Sequence, residues 1–169
     1  KNDLIINVDQ SIKNVRPYIT SAIVKNVVLD DEFIRQLINM QEDLHNGIGR
    51  KRRKVSIGIH NFDVIKPPVY YKTVDENFSF VPLNSGHKST IHEILNETDT
   101  GKSYGEILSE SSLYPILVDS SNGVLSFPPI INGDLTRLTS DTKNLFIDVT
   151  ATNAESSHDA LAVLTSNKL

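Results

Sequence analysis

The sequence predicts an α+β fold, in which a mixed or antiparallel sheet carries flanking helices. Strand candidates outnumber helix candidates, and the two kinds are interspersed along the 169 residues without a regular βα alternation. A hydrophobic content of 38% over this length is enough for one well-buried domain and is short for two. We therefore expect a single domain over residues 1–169.

Residues 144–152 are the clearest strand candidate, because their side chains alternate in character. One face is apolar and holds Leu145, Ile147 and Val149. The other face holds Phe146, Asp148 and Thr150. A carboxylate among apolar neighbours is costly unless a group donates to it. Asp148 and Thr150 are therefore expected either to face water or to recognise a ligand.

The remaining elements follow from the same periodicities. Further strands are predicted, from β-branched content or alternation, at residues 4–8, 16–29, 55–60, 69–74, 78–82 and 113–119. A helix is predicted from a cap at Asp30 or Asp31 to about Asn46, with Gly47 and Gly49 ending it. Its core-facing stripe is predicted to hold Phe33, Leu37, Met40, Leu44 and Ile48.

Two more helices and a loop complete the predicted order. Ser89 or Thr90 caps a short helix, and Ser156 or Ser157 caps the last helix. Residues 98–103 are predicted to be a polar loop, followed by a short helical turn over residues 104–108.

Composition excludes several classes of protein. The net charge of -4 excludes a generally basic nucleic-acid binder, although it leaves room for a local basic patch. The chain has no cysteine, which excludes a disulfide framework, a cysteine nucleophile and a thiolate metal site. No apolar run approaches the roughly 18 residues of a membrane span. Because the chain starts at Lys1 and not at Met, we expect it to be part of a longer polypeptide.

A local basic patch is present at residues 50–54, which read RKRRK. The run holds Arg50, Lys51, Arg52, Arg53 and Lys54, out of 17 cations in the chain. A charge run of this kind forms either a solvated turn or a contact for nucleic-acid phosphates. Such contacts would position a nucleic acid without reading its bases.

Short catalytic signatures are absent from the sequence: there is no nucleophile elbow, phosphate loop, zinc-protease helix or dinucleotide fingerprint. The five histidines are scattered. His45 and Glu42 have a spacing compatible with metal ligation, but without a second cluster surface polar roles are favoured. Nothing in the sequence brings Ser126 and His60 together as nucleophile and base.

Longer segments carry a resemblance to a known family. The segments SFPPIINGD, NLFIDVTATN, RPYITSAIVKNV, MQEDLHNGIGRKRRKVSIGIHNFD and LYPILVDSSNGV resemble the beta subunit of phenylalanyl-tRNA synthetase of the archaeal and eukaryotic cytosolic type. The resemblance covers nearly the whole chain in the same order. It implies the editing domain, which in that family hydrolyses tyrosine wrongly attached to phenylalanine tRNA.

The resemblance also implies partners and cofactors. The full synthetase is expected to be a cytoplasmic α2β2 heterotetramer with the alpha subunit, and to use ATP and magnesium for aminoacylation in that other subunit. No cofactor or metal is expected in this domain, and neither a membrane nor DNA is expected as a partner. Phenylalanine tRNA is the expected nucleic acid, with Arg50, Lys51, Arg52 and Arg53 as its candidate contacts.

The resemblance assigns the site residues as well. Asp148, Thr150, Leu117 and Ser126 are the expected substrate-binding residues, while Ser126 and Asn132 are the expected catalytic contacts near the ester. Phenylalanine and tyrosine differ by one hydroxyl, which a synthetic pocket rejects only to a limited degree. A carboxylate at Asp148 would accept a hydrogen bond from the phenol and would be left unpaired by phenylalanine.

For the chemistry, we expect a positioned water to attack the ester without a covalent enzyme intermediate. Backbone amides near the SFPP turn would stabilise the oxyanion. His60 is the residue to test as a base, although its strand position favours packing or a backbone hydrogen bond. The alternative function is a non-catalytic module for tRNA docking or subunit packing.

Overall fold

The computed structural model describes residues 6–166. Its strands, in chain order, are β1 (Ile6–Val8), β2 (Tyr18–Val24), β3 (Val55–Asn61), β4 (Val69–Val74), β5 (Ser79–Phe80), β6 (Ser89–Thr90), β7 (Tyr114–Asp119), β8 (Val124–Phe127), β9 (Ile131–Asn132) and β10 (Leu145–Ala151). Its α-helices are α1 (Asp31–Asn46), α2 (Ile91–Glu97), α3 (Asp99–Tyr104) and α4 (Ala154–Ser166). Within these residues no helix is long and apolar enough to cross a membrane.

The described residues divide into two compact units. Residues 6–16 and Ile65–Arg137 form the first unit, and Pro17–Val64 with residues 138–166 form the second. Each unit has sheet, helices and its own hydrophobic core. The predicted α+β class is confirmed, while the expectation of one editing domain over residues 1–169 stays a prediction.

The first unit is built on a five-stranded mixed sheet in the order β1-β4-β7-β8-β9. The β1 and β4 strands are parallel, and the other neighbours are antiparallel. Of the strand predicted at residues 4–8, residues 4 and 5 lie outside the described residues. The core of this unit joins α2 and the 3₁₀ turn Gly105–Leu108 to the sheet through Phe80, Ile91, Ile94, Leu108, Ile116, Val118, Val124, Phe127 and Ile130.

The second unit is built on a three-stranded antiparallel sheet, in which β10 lies between β2 and β3. The predicted apolar face of this strand is confirmed as core. Its buried side chains pack against α1 and α4 in a cluster that includes Leu37, Leu145, Ile147, Val149, Ala160 and Leu164. Because alternate residues of β10 face this core, Asp148 and Thr150 lie on the opposite face of the sheet.

Helix α1 begins and ends close to the prediction. The Asp30 side chain accepts a hydrogen bond from Phe33 N at 2.7 Å, and Gly47 follows the last helical residue. Leu37 is buried, and the partly buried Phe33, Met40 and Leu44 pack on the same core. The prediction is wrong for Ile48, which lies beyond the helix end and is 43% exposed.

Three predicted boundaries are wrong. The strand predicted at residues 16–29 is limited to β2, and Asn26 has a left-handed φ of 59° shortly after it. The loop predicted at residues 98–103 is α3, because Thr98 ends α2 and its side chain also caps α3 at Gly101 N. Helix α4 begins earlier than predicted, because Asn153 accepts a hydrogen bond from Ser156 N at 2.8 Å.

Candidate functional site

Asp148 is a buried carboxylate that contacts the imidazole of His60. Its Oδ2 lies 2.5 Å from Nε2 of His60, and the two residues are 2% and 0% exposed. A carboxylate oxygen accepts hydrogen bonds, so we assign the tautomer of His60 in which Nε2–H donates to Oδ2. No described group hydrogen-bonds to the other oxygen, Oδ1. Oδ2 of Asp148 is therefore engaged by His60, and Oδ1 can accept a hydrogen bond from a ligand.

The strand register explains why these two residues meet. Asp148 pairs directly with Gly58 across β10 and β3, while His60 pairs with Phe146. Directly paired residues point to the same face, and diagonal neighbours lie within reach of long side chains. The ring of His60 stacks on Phe146 with a centroid distance of 5.8 Å, and it extends diagonally to Asp148.

Gly58 provides the space for this contact. A Cβ at this position would lie 2.7 Å from Nε2 of His60 and closer still to Oδ2 of Asp148. Real Cβ atoms do not approach at such distances. The absence of a side chain opposite Asp148 is therefore a condition for the hydrogen bond with His60.

Thr150 lies in the next row of the same face. Its Oγ1 is 3.0 Å from Oγ of Ser56, which is its direct partner on β3. Ser56 and the pairing of His60 with Asp148 were not predicted from the sequence. The alternation of residues 55–60 does put Ser56, Gly58 and His60 on one face, but it does not say which strand lies beside them.

In the first unit, Leu117, Ser126 and Asn132 form one row across the sheet. Leu117 of β7 pairs with Ser126 of β8, which pairs with Asn132 of β9. The row continues to Tyr71 of β4, whose hydroxyl donates to the Arg16 carbonyl at 2.7 Å. Three predicted site residues are thus brought side by side by a register that no local pattern encodes.

Ser126 has a buried polar atom without a partner. The residue is 3% exposed, and its Oγ makes no hydrogen bond with any described residue. Leaving a buried hydroxyl unsatisfied costs about 1–3 kcal/mol. An unsatisfied polar group in a folded protein calls for an explanation, and a contact with a ligand is one that fits the predicted role.

Three positions of the SFPP turn and its flank offer no free backbone donor. Pro128 and Pro129 carry no N–H, and the N–H of Ile130 donates to the Phe127 carbonyl at 2.8 Å. The expectation that backbone amides near the SFPP turn stabilise the oxyanion stays a prediction, which would need amides other than those of residues 128–130.

Comparison with known proteins gives many similar sequences, although no family model matches the chain. The phenylalanine--tRNA ligase beta subunit of Archaeoglobus fulgidus is 48% identical over 164 residues, which is 97% of this chain and 30% of that protein. The beta subunit of Thermococcus onnurineus is 47% identical over 151 residues, covering 89% of this chain and 26% of that protein. The chain belongs to the phenylalanine--tRNA ligase beta subunit family.

A solved structure agrees with this assignment. An N-terminal fragment of the phenylalanyl-tRNA synthetase beta subunit from Pyrococcus horikoshii superposes with a TM-score of 0.94 at 43% identity, covering 98% of this chain and 48% of that one. The predicted family and its fold are confirmed. The chain spans between 26% and 30% of the length of the two beta subunits compared above.

The predicted site residues of this beta-subunit chain fall in both units. Asp148 and Thr150 belong to the second unit, and Leu117, Ser126 and Asn132 belong to the first. Within each unit the members are neighbours on one sheet face. Their roles in substrate binding and catalysis stay predictions.

The basic run folds into a left-handed turn. Arg50, Lys51 and Arg52 have φ angles of 51°, 54° and 70°, which is the region that L-residues rarely adopt. The turn closes where Lys54 N donates to the Gly49 carbonyl at 2.8 Å. Its side chains are exposed except that of Arg52, which is 12% exposed and pairs with Glu42 at 2.9 Å. The four predicted tRNA contacts stay predictions.

The prediction of a surface position for His45 is wrong, because this residue is buried in the core. Its Nε2 accepts a hydrogen bond from Ile57 N at 2.8 Å, which ties α1 to β3. Burial lowers the pKa of His45 to about 4, and the nearby Arg52 guanidinium adds to that effect. The neutral ring is therefore a structural acceptor. Residues 6–166 contain no group of three His, Asp or Glu side chains that would hold a metal ion.

Proposed function

We propose that this chain carries the editing activity of a phenylalanyl-tRNA synthetase, the hydrolysis of tyrosine wrongly esterified to phenylalanine tRNA. Membership of the beta subunit family supports the proposal. The observation that carries it is the buried carboxylate of Asp148, which has one oxygen bonded to His60 and one oxygen without a partner among the described residues.

A buried acceptor of this kind selects for a hydroxyl. Tyrosine would donate its phenol to Oδ1 of Asp148, and a hydrogen bond to a charged group contributes about 1.5–3 kcal/mol. Phenylalanine would displace solvent from the carboxylate without replacing that hydrogen bond. The expected preference for the tyrosyl ester is therefore about 10-fold to 100-fold, and it complements the limited rejection of tyrosine by a synthetic site.

The reaction itself is hydrolysis of an ester. A water attacks the carbonyl carbon of the aminoacyl group, the bond to the ribose oxygen breaks, and tyrosine and tRNA are released. Positioning of the water and ester supplies much of the rate enhancement in this mechanism, and the adjacent ribose hydroxyl of the terminal adenosine assists. Ser126, with its unsatisfied hydroxyl, and Asn132 are proposed to contact the ester.

The same proposal includes the partners of the family. Phenylalanine tRNA is the nucleic acid, and the exposed cations of residues 50–54 are proposed to contact its phosphates without reading bases. The alpha subunit completes an α2β2 enzyme in the cytoplasm, where ATP and magnesium serve aminoacylation in that other subunit.

The decisive experiment measures deacylation of tyrosyl-tRNA by the whole synthetase, with phenylalanyl-tRNA as the reference ester. Asp148→Ala removes the acceptor, and Asp148→Asn keeps the side-chain volume while removing the charge. Both should lower the clearance of the tyrosyl ester at least tenfold. Asp141→Asn is the matched control, because Asp141 is exposed.

Two results would contradict the proposal in different ways. If wild-type enzyme clears tyrosyl-tRNA and both Asp148 variants clear it equally well, Asp148 does not read the hydroxyl. If wild-type enzyme clears no tyrosyl-tRNA, the chain is not an editing domain.

The second candidate function is a non-catalytic module that docks tRNA or packs against another subunit. The exposed basic turn at residues 50–54 favours docking. This function predicts no ester clearance, together with weaker tRNA binding when Lys51→Ala and Arg53→Ala are combined. Editing predicts clearance whether or not that turn contributes to affinity.

A further inference from the structure

We propose that His60 is a positioning residue, which holds the Asp148 carboxylate in one orientation so that Oδ1 alone receives the substrate hydroxyl. This inference rests on the proposed editing function and adds to it a residue that sets specificity. It assigns His60 no direct proton transfer to the reacting ester.

The imidazole ring of His60 is held in place by its neighbours. His60 is completely buried, its Nε2 lies 2.5 Å from Oδ2 of Asp148, and its ring stacks on Phe146. A nitrogen that donates to a carboxylate cannot at the same time accept a proton from water. The geometry therefore favours a donor that orients Asp148 over a base.

The Asp148 carboxylate would be mobile without the hydrogen bond from His60. The terminal torsion of an aspartate is broad, so an Asp148 side chain without a fixed donor would sample several orientations. Fixing Oδ2 from one side directs Oδ1 to one place, and a fixed acceptor discriminates better than one that must reorganise. The bond to His60 also compensates part of the cost of burying the polar carboxyl group.

The neighbouring strand β3 leaves room for this contact at Gly58. Gly58 faces Asp148 in the register, and a Cβ there would enter the space between the carboxylate and the imidazole. The diagonal contact of His60 therefore depends on glycine at this position. His60 and Gly58 together form a positioning pair for Asp148.

The test uses three variants of the whole synthetase. His60→Leu removes the donor and keeps an apolar side chain on Phe146. His60→Gln retains an N–H donor at about the reach of Nε2, and Gly58→Ala introduces the steric conflict. The readout is the ratio of kcat/KM for tyrosyl-tRNA to that for phenylalanyl-tRNA, measured beside wild type.

We expect His60→Leu and Gly58→Ala to lower this ratio about tenfold or more, mainly through the tyrosyl ester. His60→Gln should keep most of the wild-type ratio, because a hydrogen-bond donor is required and the imidazole itself is not. A variant that only disturbs packing would slow both esters alike. The proposal is overturned if His60→Leu keeps the wild-type ratio, or if His60→Gln is as impaired as His60→Leu.

Crystal structures of the His60 variants provide a readout that does not depend on activity. The Asp148 carboxylate should turn in the leucine variant and keep its orientation in the glutamine variant. An unchanged carboxylate in the leucine variant would overturn the proposal even if wild-type enzyme proved unable to edit. Absence of editing by wild type would instead contradict the proposed function.

Discussion

Oγ of Ser56 and Oγ1 of Thr150 lie 3.0 Å apart on adjacent strands, in the row next to Asp148, and both residues are buried. One hydroxyl donates to the other in a place where water has little access. The polar face of β10 is therefore an organised network and not a solvated surface. Substitutions on this face should therefore affect both the stability of the sheet and the proposed recognition of tyrosine.

The Ser56 and Thr150 pair predicts coupled effects on stability. Thr150→Val keeps the shape of the side chain but leaves Ser56 without this partner, and it should lower the free energy of unfolding by about 1–2 kcal/mol. Ser56→Ala should have a similar effect. Chemical denaturation of both single variants and the double variant measures the coupling, and the double variant should lose less than the sum. Strict additivity would contradict the pairing.

For Ser126 we expect a substitution to change the free energy of unfolding in the opposite direction. Because its Oγ is buried without a partner, Ser126→Ala should raise the free energy of unfolding by about 1 kcal/mol. If Ser126 contacts the aminoacyl ester, the same variant should clear tyrosyl-tRNA more slowly. Ser56→Ala is the matched control, since it removes a buried serine hydroxyl that does have a partner. Destabilisation by Ser126→Ala would show that the hydroxyl is satisfied in the protein.

His45 predicts a pH dependence of stability. Its pKa is about 4 in the folded chain and 6.5 without the influence of the fold, so between these values the unfolded chain binds the extra proton. The free energy of unfolding should therefore fall as the pH is lowered from about 6.5 to about 4, by at most about 3 kcal/mol, and should not change further on this account below pH 4.

Hydrogen exchange at the Ile57 amide measures this effect locally, because that N–H donates to His45. Protection should decrease with falling pH in wild type and vary less in His45→Gln, which keeps an acceptor but does not titrate. His158→Gln is the control, because His158 is exposed. Equal pH profiles for wild type and His45→Gln would rule out His45 as the cause.

In the left-handed turn, the effect of backbone strain on stability can be distinguished from the effect of charge on tRNA binding. Lys51 has a φ of 54°, where an L-residue is strained and glycine is not. Lys51→Gly should raise the free energy of unfolding by about 0.5–1 kcal/mol, whereas Lys51→Ala should not. Both variants remove one cation, so both should weaken tRNA binding equally if the turn contacts phosphates. Equal stability of the two variants would contradict the strain.

Much of the local structure was predictable because local patterns carry it. The alternation over residues 144–152 identified the core face of β10, and Asp30 identified the start of α1. The error at residues 98–103 has a physical cause: Thr, Asp, Gly and Ser favour loops, yet Thr98 caps α3 and Gly101 lies close to the Ile94 carbonyl. The burial of His45 was not predicted, because a histidine on a helix is expected at the surface unless a buried hydrogen-bond partner is known. That partner, the Ile57 amide, is evident only from the structure.

The sequence by itself determined the family, the α+β class and the face of β10 on which Asp148 and Thr150 lie. These follow from matched segments and from a side-chain period of two, which are properties of neighbouring residues. Only the tertiary structure decided that His60 donates to Asp148, that Gly58 makes room for it, and that Leu117, Ser126 and Asn132 share one row. Strand register joins residues far apart in the chain, and packing of the whole unit selects it.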